Sequence, residues 1–170
     1  MDRRDVLVGL GSLSATCLAG CSAIGGGDGG NGGPGSATAA VRAYWDATEA
    51  GNAERLNEIM HERHPLYPVD PPPESIVPES VELSDVETRS AETVYSDVAD
   101  QFDDAAAFEA TIDRVVEEID ADGYAIVYHA VTIRRGEDQP DGYREPSTIV
   151  VESGGRWRVL VNADQLREIA

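Results

Sequence analysis

The sequence predicts an α+β domain in which N-terminal helices pack on a curved antiparallel sheet. Three observations carry this. Residues 37 to 60 place apolar side chains at helical spacing on either side of a Gly-Asn pair, whereas the last third of the chain holds three runs rich in β-branched and aromatic residues. Everything ahead of residue 37 shows neither pattern, so the domain is confined to residues 37 to 170, a length that supports one hydrophobic core.

Val41, Tyr44, Trp45 and Thr48 stand at i, i+3, i+4 and i+7, one face of a first helix over residues 37 to 50 that Ser36 or Thr38 can cap. Gly51 stops that helix, and Asn52 caps a second one with Leu56, Ile59 and Met60 as its apolar stripe. The second helix should run to about His64, because Pro65 disfavours helical backbone in the residue before it. Six of the nine prolines lie between Pro65 and Pro78, which predicts an extended loop lying across a pocket mouth. Residues 81 to 87 alternate partly and read as a short strand. Residues 91 to 119 suit a helix to about Ala107, after which Thr111 to Ile119 suits either more helix or a strand; the strand is preferred, feeding a turn at Asp120-Ala121-Asp122-Gly123. Tyr124 to Arg134, Ser147 to Glu152 and Arg156 to Val161 then form an antiparallel sheet, the last two joined by Gly154-Gly155. On the last strand a period of two would place Trp157, Val159 and Val161 on one face, against Tyr44 and Trp45. Asn162 or Asp164 caps a final turn through Leu166 and Ile169.

Helix, Gly51-Asn52, helix with Tyr44, Trp45, Ala47, Leu56, Ile59 and Met60, followed by a meander ending in Gly155, Trp157 and Val159, resembles the nuclear transport factor 2-like (SnoaL-like) fold. The resemblance implies a cone-shaped cavity between helices and sheet, which hosts isomerase, dehydratase or cyclase chemistry in some members and none in many others.

The segment before the domain is an address. Arg3-Arg4 precedes an apolar run, Val6 to Leu18, that at about 1.5 Å per residue reaches only about 20 Å, short of the roughly 30 Å of a bilayer core. It resembles a twin-arginine export signal, although the usual aromatic before Leu7 is missing. Leu18-Ala19-Gly20-Cys21 resembles the lipobox of exported lipoproteins, which implies a signal peptide at residues 1 to 20 and a lipidated Cys21 on the outer side of the cell membrane. Eight of the fifteen residues from Ser22 to Ser36 are Gly, and so the lipidated Cys21 is followed by a flexible tether, residues 21 to 36. Cys17 falls in the removed peptide, which leaves no thiol for a disulfide, a nucleophile or a metal.

All thirteen basic residues are Arg, against thirty-two Asp and Glu, for a net charge of −19. Such a chain repels nucleic acid and anionic lipid. Abundant carboxylates without Lys resemble the proteins of salt-loving archaea, in which a hydrated acidic surface works in multimolar salt.

No catalytic residue, metal or cofactor emerges: there is no Walker loop, dinucleotide fingerprint, Gly-x-Ser-x-Gly or His-Glu-x-x-His. His61 and His64, near the expected end of the second helix, read as helix-terminal cations rather than ligands, lacking a third partner. His129 shares its strand phase with Ala125, Val127, Val131 and Ile133, which aims it at the core or a cavity. Expected cavity lining is therefore Tyr44, Trp45, Met60 and His129. Tyr124 and Tyr128, on the opposite phase, offer cross-strand packing or an outer face for a homodimer. The expectation is a lipid-anchored domain that binds a small molecule or partner protein without catalysis, with a lyase or isomerase in the cavity, or a dimerising scaffold, as the alternatives.

Overall fold

The computed structural model describes residues 34–70, 77–135 and 141–170. The twin arginine, Cys21, most of the tether and the triple proline lie outside the described residues. Within them the chain is α+β, with five helices and an open five-stranded antiparallel sheet. The order along the chain is α1 (Ala37–Glu49), α2 (Ala53–Ile59), β1 (Ser80–Arg89), α3 (Ala91–Val94), α4 (Ala105–Glu118), β2 (Gly123–Arg134), β3 (Gly142–Arg144), β4 (Ser147–Ser153), β5 (Arg156–Asn162) and α5 (Leu166–Ile169). Across the sheet the order is β1-β2-β4-β5, with β3 also paired to β2 beyond the reach of β4.

Local chemistry sets most boundaries. The Ser36 hydroxyl accepts from the Ala39 amide at the start of α1, and Asn52 Oδ1 accepts from the Arg55 amide at the start of α2. Between them the amides of Gly51 and Asn52 turn back onto the carbonyls of Thr48 and Ala47, closing α1 with Gly51 at φ +59°. Gly154 and Gly155, both at positive φ, make the tight turn between β4 and β5.

The sheet is covered on both faces. Ile126, Ile149, Val151 and Leu160 pack with Phe108, Ile112 and Val115 of α4 and with Val94, Val98 and Leu166. Val127, Val150 and Val159 pack with Val41, Leu56, Ile59 and Met60 of α1 and α2. Ile126 and Val127 belong to opposite clusters, as do Ile149 and Val150, so the two helical layers sit on opposite sides of the sheet.

Five expectations are corrected. Residues 111 to 118 are helix, not strand: Phe108, Ile112 and Val115, each fully buried, are spaced i, i+4, i+7, and Asp104 caps the helix by accepting from the Ala107 amide at 2.7 Å. The Asp120 turn therefore joins a helix to β2 and is not a hairpin; Asp120 takes φ +53° as the amides of Asp120 and Ala121 close α4 onto Glu117 and Val116. The second helix ends at Ile59, because Met60 turns extended and forms a parallel bridge with Val159. Helices are not confined to the N-terminal part, since α3, α4 and α5 build the second layer. Finally, Val161 does not share a face with Val159: Val150 pairs Val159 while Ile149 pairs Val161, so Leu160 is a bulge that reverses the phase of the strand.

Candidate functional site

The bulge has a local consequence. With Leu160 taken up as an extra residue, Asn162 pairs with Thr148 and both come to line a cavity beside α1. The Thr148 hydroxyl donates to Asn162 Oδ1 at 2.9 Å, and the Asn162 amide reaches Gln165 Oε1 at 3.4 Å. This use of Asn162 replaces the expected capping of the last turn, where no side-chain cap forms.

The cavity is a groove with two lobes at the end of the sheet. The first, about 230 Å³, lies between Val41, Tyr44 and Trp45 of α1, the His64-Pro65-Leu66 corner, and Val159, Thr148 and Asn162. The second, about 370 Å³, runs past Pro146 and Ser147 to Asp97, Val98 and Asp164. Trp45, Arg144 and Asn162 line both lobes. Arg144 is the one charged group of the first lobe, whereas the second adds Asp97, Glu145 and Asp164. Arg144 forms no ion pair among the described residues. Ser147 is 6% exposed, and its Oγ has no hydrogen-bond partner among the described residues. A buried hydroxyl without a partner is costly and uncommon.

The histidines around the groove are held neutral. His64 Nδ1 accepts from the Leu66 amide at 3.1 Å, which leaves the proton on Nε2, and burial lowers its pKa to about 4. His129, 1% exposed, sits one layer behind the wall: Nε2 accepts from Trp45 Nε1–H at 2.9 Å, so the proton is on Nδ1, which has no partner in hydrogen-bonding geometry among the described residues. Burial lowers its pKa as well, with a smaller opposing contribution from the Val127 backbone. Burial raises the pKa of Tyr44. At neutral pH the first lobe thus offers uncharged donors and acceptors, two aromatic rings and one guanidinium.

Of the residues expected to line a cavity, Tyr44 and Trp45 do so, their rings edge to face at 5.4 Å. His129 supports Trp45 from behind, and Met60, 2% exposed, is packed in the core beside Val159. His61 stands outside any helix: its Nδ1 accepts from the Arg63 amide, and its pKa is lowered first by burial. Tyr124 packs against the α4 layer, and its pKa is raised by burial and by nearby Asp113 and Glu109. Tyr128 lies under the Arg89 guanidinium, 3.4 Å from the ring centre, and donates to Glu145 Oε1 at 2.7 Å. The large apolar side chains most exposed among the described residues are Leu66, Tyr67 and Tyr143.

No local pattern pointed to Arg144, Ser147, Asn162 or Gln165 as groove residues. The Leu160 bulge hides the strand phase that brings in Asn162, and Arg144 rides on a three-residue strand with no pattern of its own. Among the described residues no three His, Asp or Glu side chains converge to hold a metal ion. Nor is any described helix long and apolar enough to cross a membrane. No family model, curated protein or solved structure matches the chain.

Proposed function

We propose that this chain is a lipid-anchored extracytoplasmic domain that binds a small ligand in the groove at the end of its sheet, without chemistry. The observation that carries the reading is the wall shared by both lobes, Trp45, Arg144 and Asn162: a flat apolar surface, a guanidinium without an ion pair among the described residues and an amide, three groups that recognise rather than react. Proton transfer is disfavoured in the first lobe, where no carboxylate among the described residues lines the wall beside His64 and burial keeps that imidazole from charging. The anchor rests on Leu18-Ala19-Gly20-Cys21, the export route on Arg3-Arg4, and the surroundings on thirty-two carboxylates offset by Arg alone, which suit multimolar salt. A nuclear transport factor 2-like cone is the finer reading of the fold; its support is α1 laid along one sheet face with a cavity at its flank.

Two experiments test this. Cys21→Ser should release the chain from membranes or block its processing, and mass spectrometry of the parent should find Cys21 acylated; a free thiol on a membrane-bound parent removes the anchor. A screen of small solutes against the full chain, read by Trp fluorescence and thermal midpoint, should yield hits that Trp45→Phe weakens. Hits indifferent to Trp45 place binding elsewhere.

A further inference from the structure

The groove separates its charges, and the separation identifies the class of molecule it fits, given the reading above that the groove is a ligand site. In the first lobe the only charge among the described residues is Arg144, at the junction; the remaining wall includes Val41, Tyr44, Leu66 and Val159. The second lobe holds the same Arg144 together with the exposed carboxylates Asp97 and Asp164. Glu145 is already engaged, since the hydroxyls of Tyr128 and Tyr143 and the charge of Arg89 hold its carboxylate below its ordinary pKa. Ser147 Oγ, buried in the wall of the second lobe and without a partner among the described residues, is left to donate to or accept from whatever enters. We propose that the groove binds a small α-amino acid with an apolar side chain: the carboxylate meets Arg144 at the junction, the ammonium lies towards Asp97 and Asp164, and the side chain enters the first lobe against Tyr44 and Trp45.

L-leucine and its two halves make the test. Leucine, 4-methylpentanoate (no ammonium) and 3-methylbutylammonium (no carboxylate) are titrated into the full chain in high KCl by calorimetry and thermal midpoint. Leucine should bind at least about tenfold more tightly than either half, the scale expected when one charge-assisted hydrogen-bonding group goes unmatched. Arg144→Ala should bring leucine down to the level of the amine, and Asp164→Asn should narrow its advantage over the acid; both positions are exposed, so both variants should fold. Ser147→Ala should weaken leucine binding while leaving the free chain at least as stable, because it removes an unpartnered hydroxyl. Leucine no tighter than one of its halves, or unchanged by Arg144→Ala or Ser147→Ala, overturns the amino-acid assignment while the groove stands. If leucine fails to bind, the assignment falls; a neutral solute such as cyclohexanol that binds and is sensitive to Trp45→Phe then leaves the groove reading intact, and silence from both removes it too.

Discussion

The indole of Trp45 on α1 donates to Nε2 of His129 on β2 at 2.9 Å, joining two residues 84 positions apart and fixing the wall that both lobes share. An acceptor at Nε2 requires a neutral imidazole, because imidazolium would present a second donor to the indole.

Mild acid should therefore destabilise the fold. His61, His64 and His129 all have lowered pKa values in the folded chain, that of His64 to about 4, each first because of burial. In the unfolded chain they titrate near the ordinary value of about 6.5. Between those limits the unfolded state holds more protons, so stability is full above about pH 6.5 and declines as the pH falls towards the folded values. Denaturant midpoints at fixed KCl should drop between about pH 7 and pH 5, before most carboxylates titrate. A flat profile across that interval would sink the argument.

Gly51→Ala should destabilise by about 1 to 2 kcal/mol, the penalty of left-handed backbone for a residue with a side chain. Gly51 has φ +59°, and an added Cβ would also stand 2.9 Å from Val77 Cγ2, so the Val77 side chain must give way as well. Equal stability of the variant and the parent in urea would show that this corner adjusts freely.

How much of this was legible in the sequence depended on whether one period governed each segment. The α1 and α2 stripes, the Gly51-Asn52 corner and the Gly154-Gly155 turn were readable, because local steric and capping rules fix them within a few residues. Residues 111 to 118 were not. Thr111, Ile112, Val115 and Val116 are β-branched and locally favour strand, yet the Asp104 cap and the burial of Phe108, Ile112 and Val115 override that preference. The groove was half legible: Tyr44 and Trp45 followed from helix phase, whereas Arg144, Ser147 and Asn162 depend on strand pairing and a bulge that no local pattern signals.

Phe108 and Trp157 should differ sharply. Phe108 is fully buried against Phe102 with ring centres 5.2 Å apart, so Phe108→Ala should remove about 3 to 5 kcal/mol, much of the roughly 5 to 15 available to a domain. Trp157 is only partly buried at the margin of the α1 cluster, and Trp157→Ala should be milder than a core truncation. Thermal midpoints in the reverse order would contradict the two-layer packing.

Salt should stabilise throughout the molar range. The proposed removal of residues 1 to 20 would take Asp2 and Asp5 with Arg3 and Arg4, a net change of zero, so the charge is −19 with or without it. The thermal midpoint should keep rising in KCl well past about 0.1 M, where the screening length is already about 10 Å. A midpoint that is constant from low to multimolar KCl would count against a salt-adapted surface.

The amide of Trp157 on the last strand donates to the carbonyl of Pro34, just ahead of α1, at 3.3 Å, and α1 lies over Val150 and Val159. The opening helix is thus completed by strands made about a hundred residues later. A chain still on the ribosome, growing at about 5 to 20 residues per second, carries α1 with its apolar stripe only partly covered, by α2, β1 and β2, until β4 and β5 emerge. Folding must wait for the finished polypeptide, and the dominance of distant pairings puts it among the slower small domains, on a timescale of milliseconds to seconds. A nascent chain cut before β4 should consequently be a chaperone client and protease-sensitive along its whole length, with no half-formed domain to protect it.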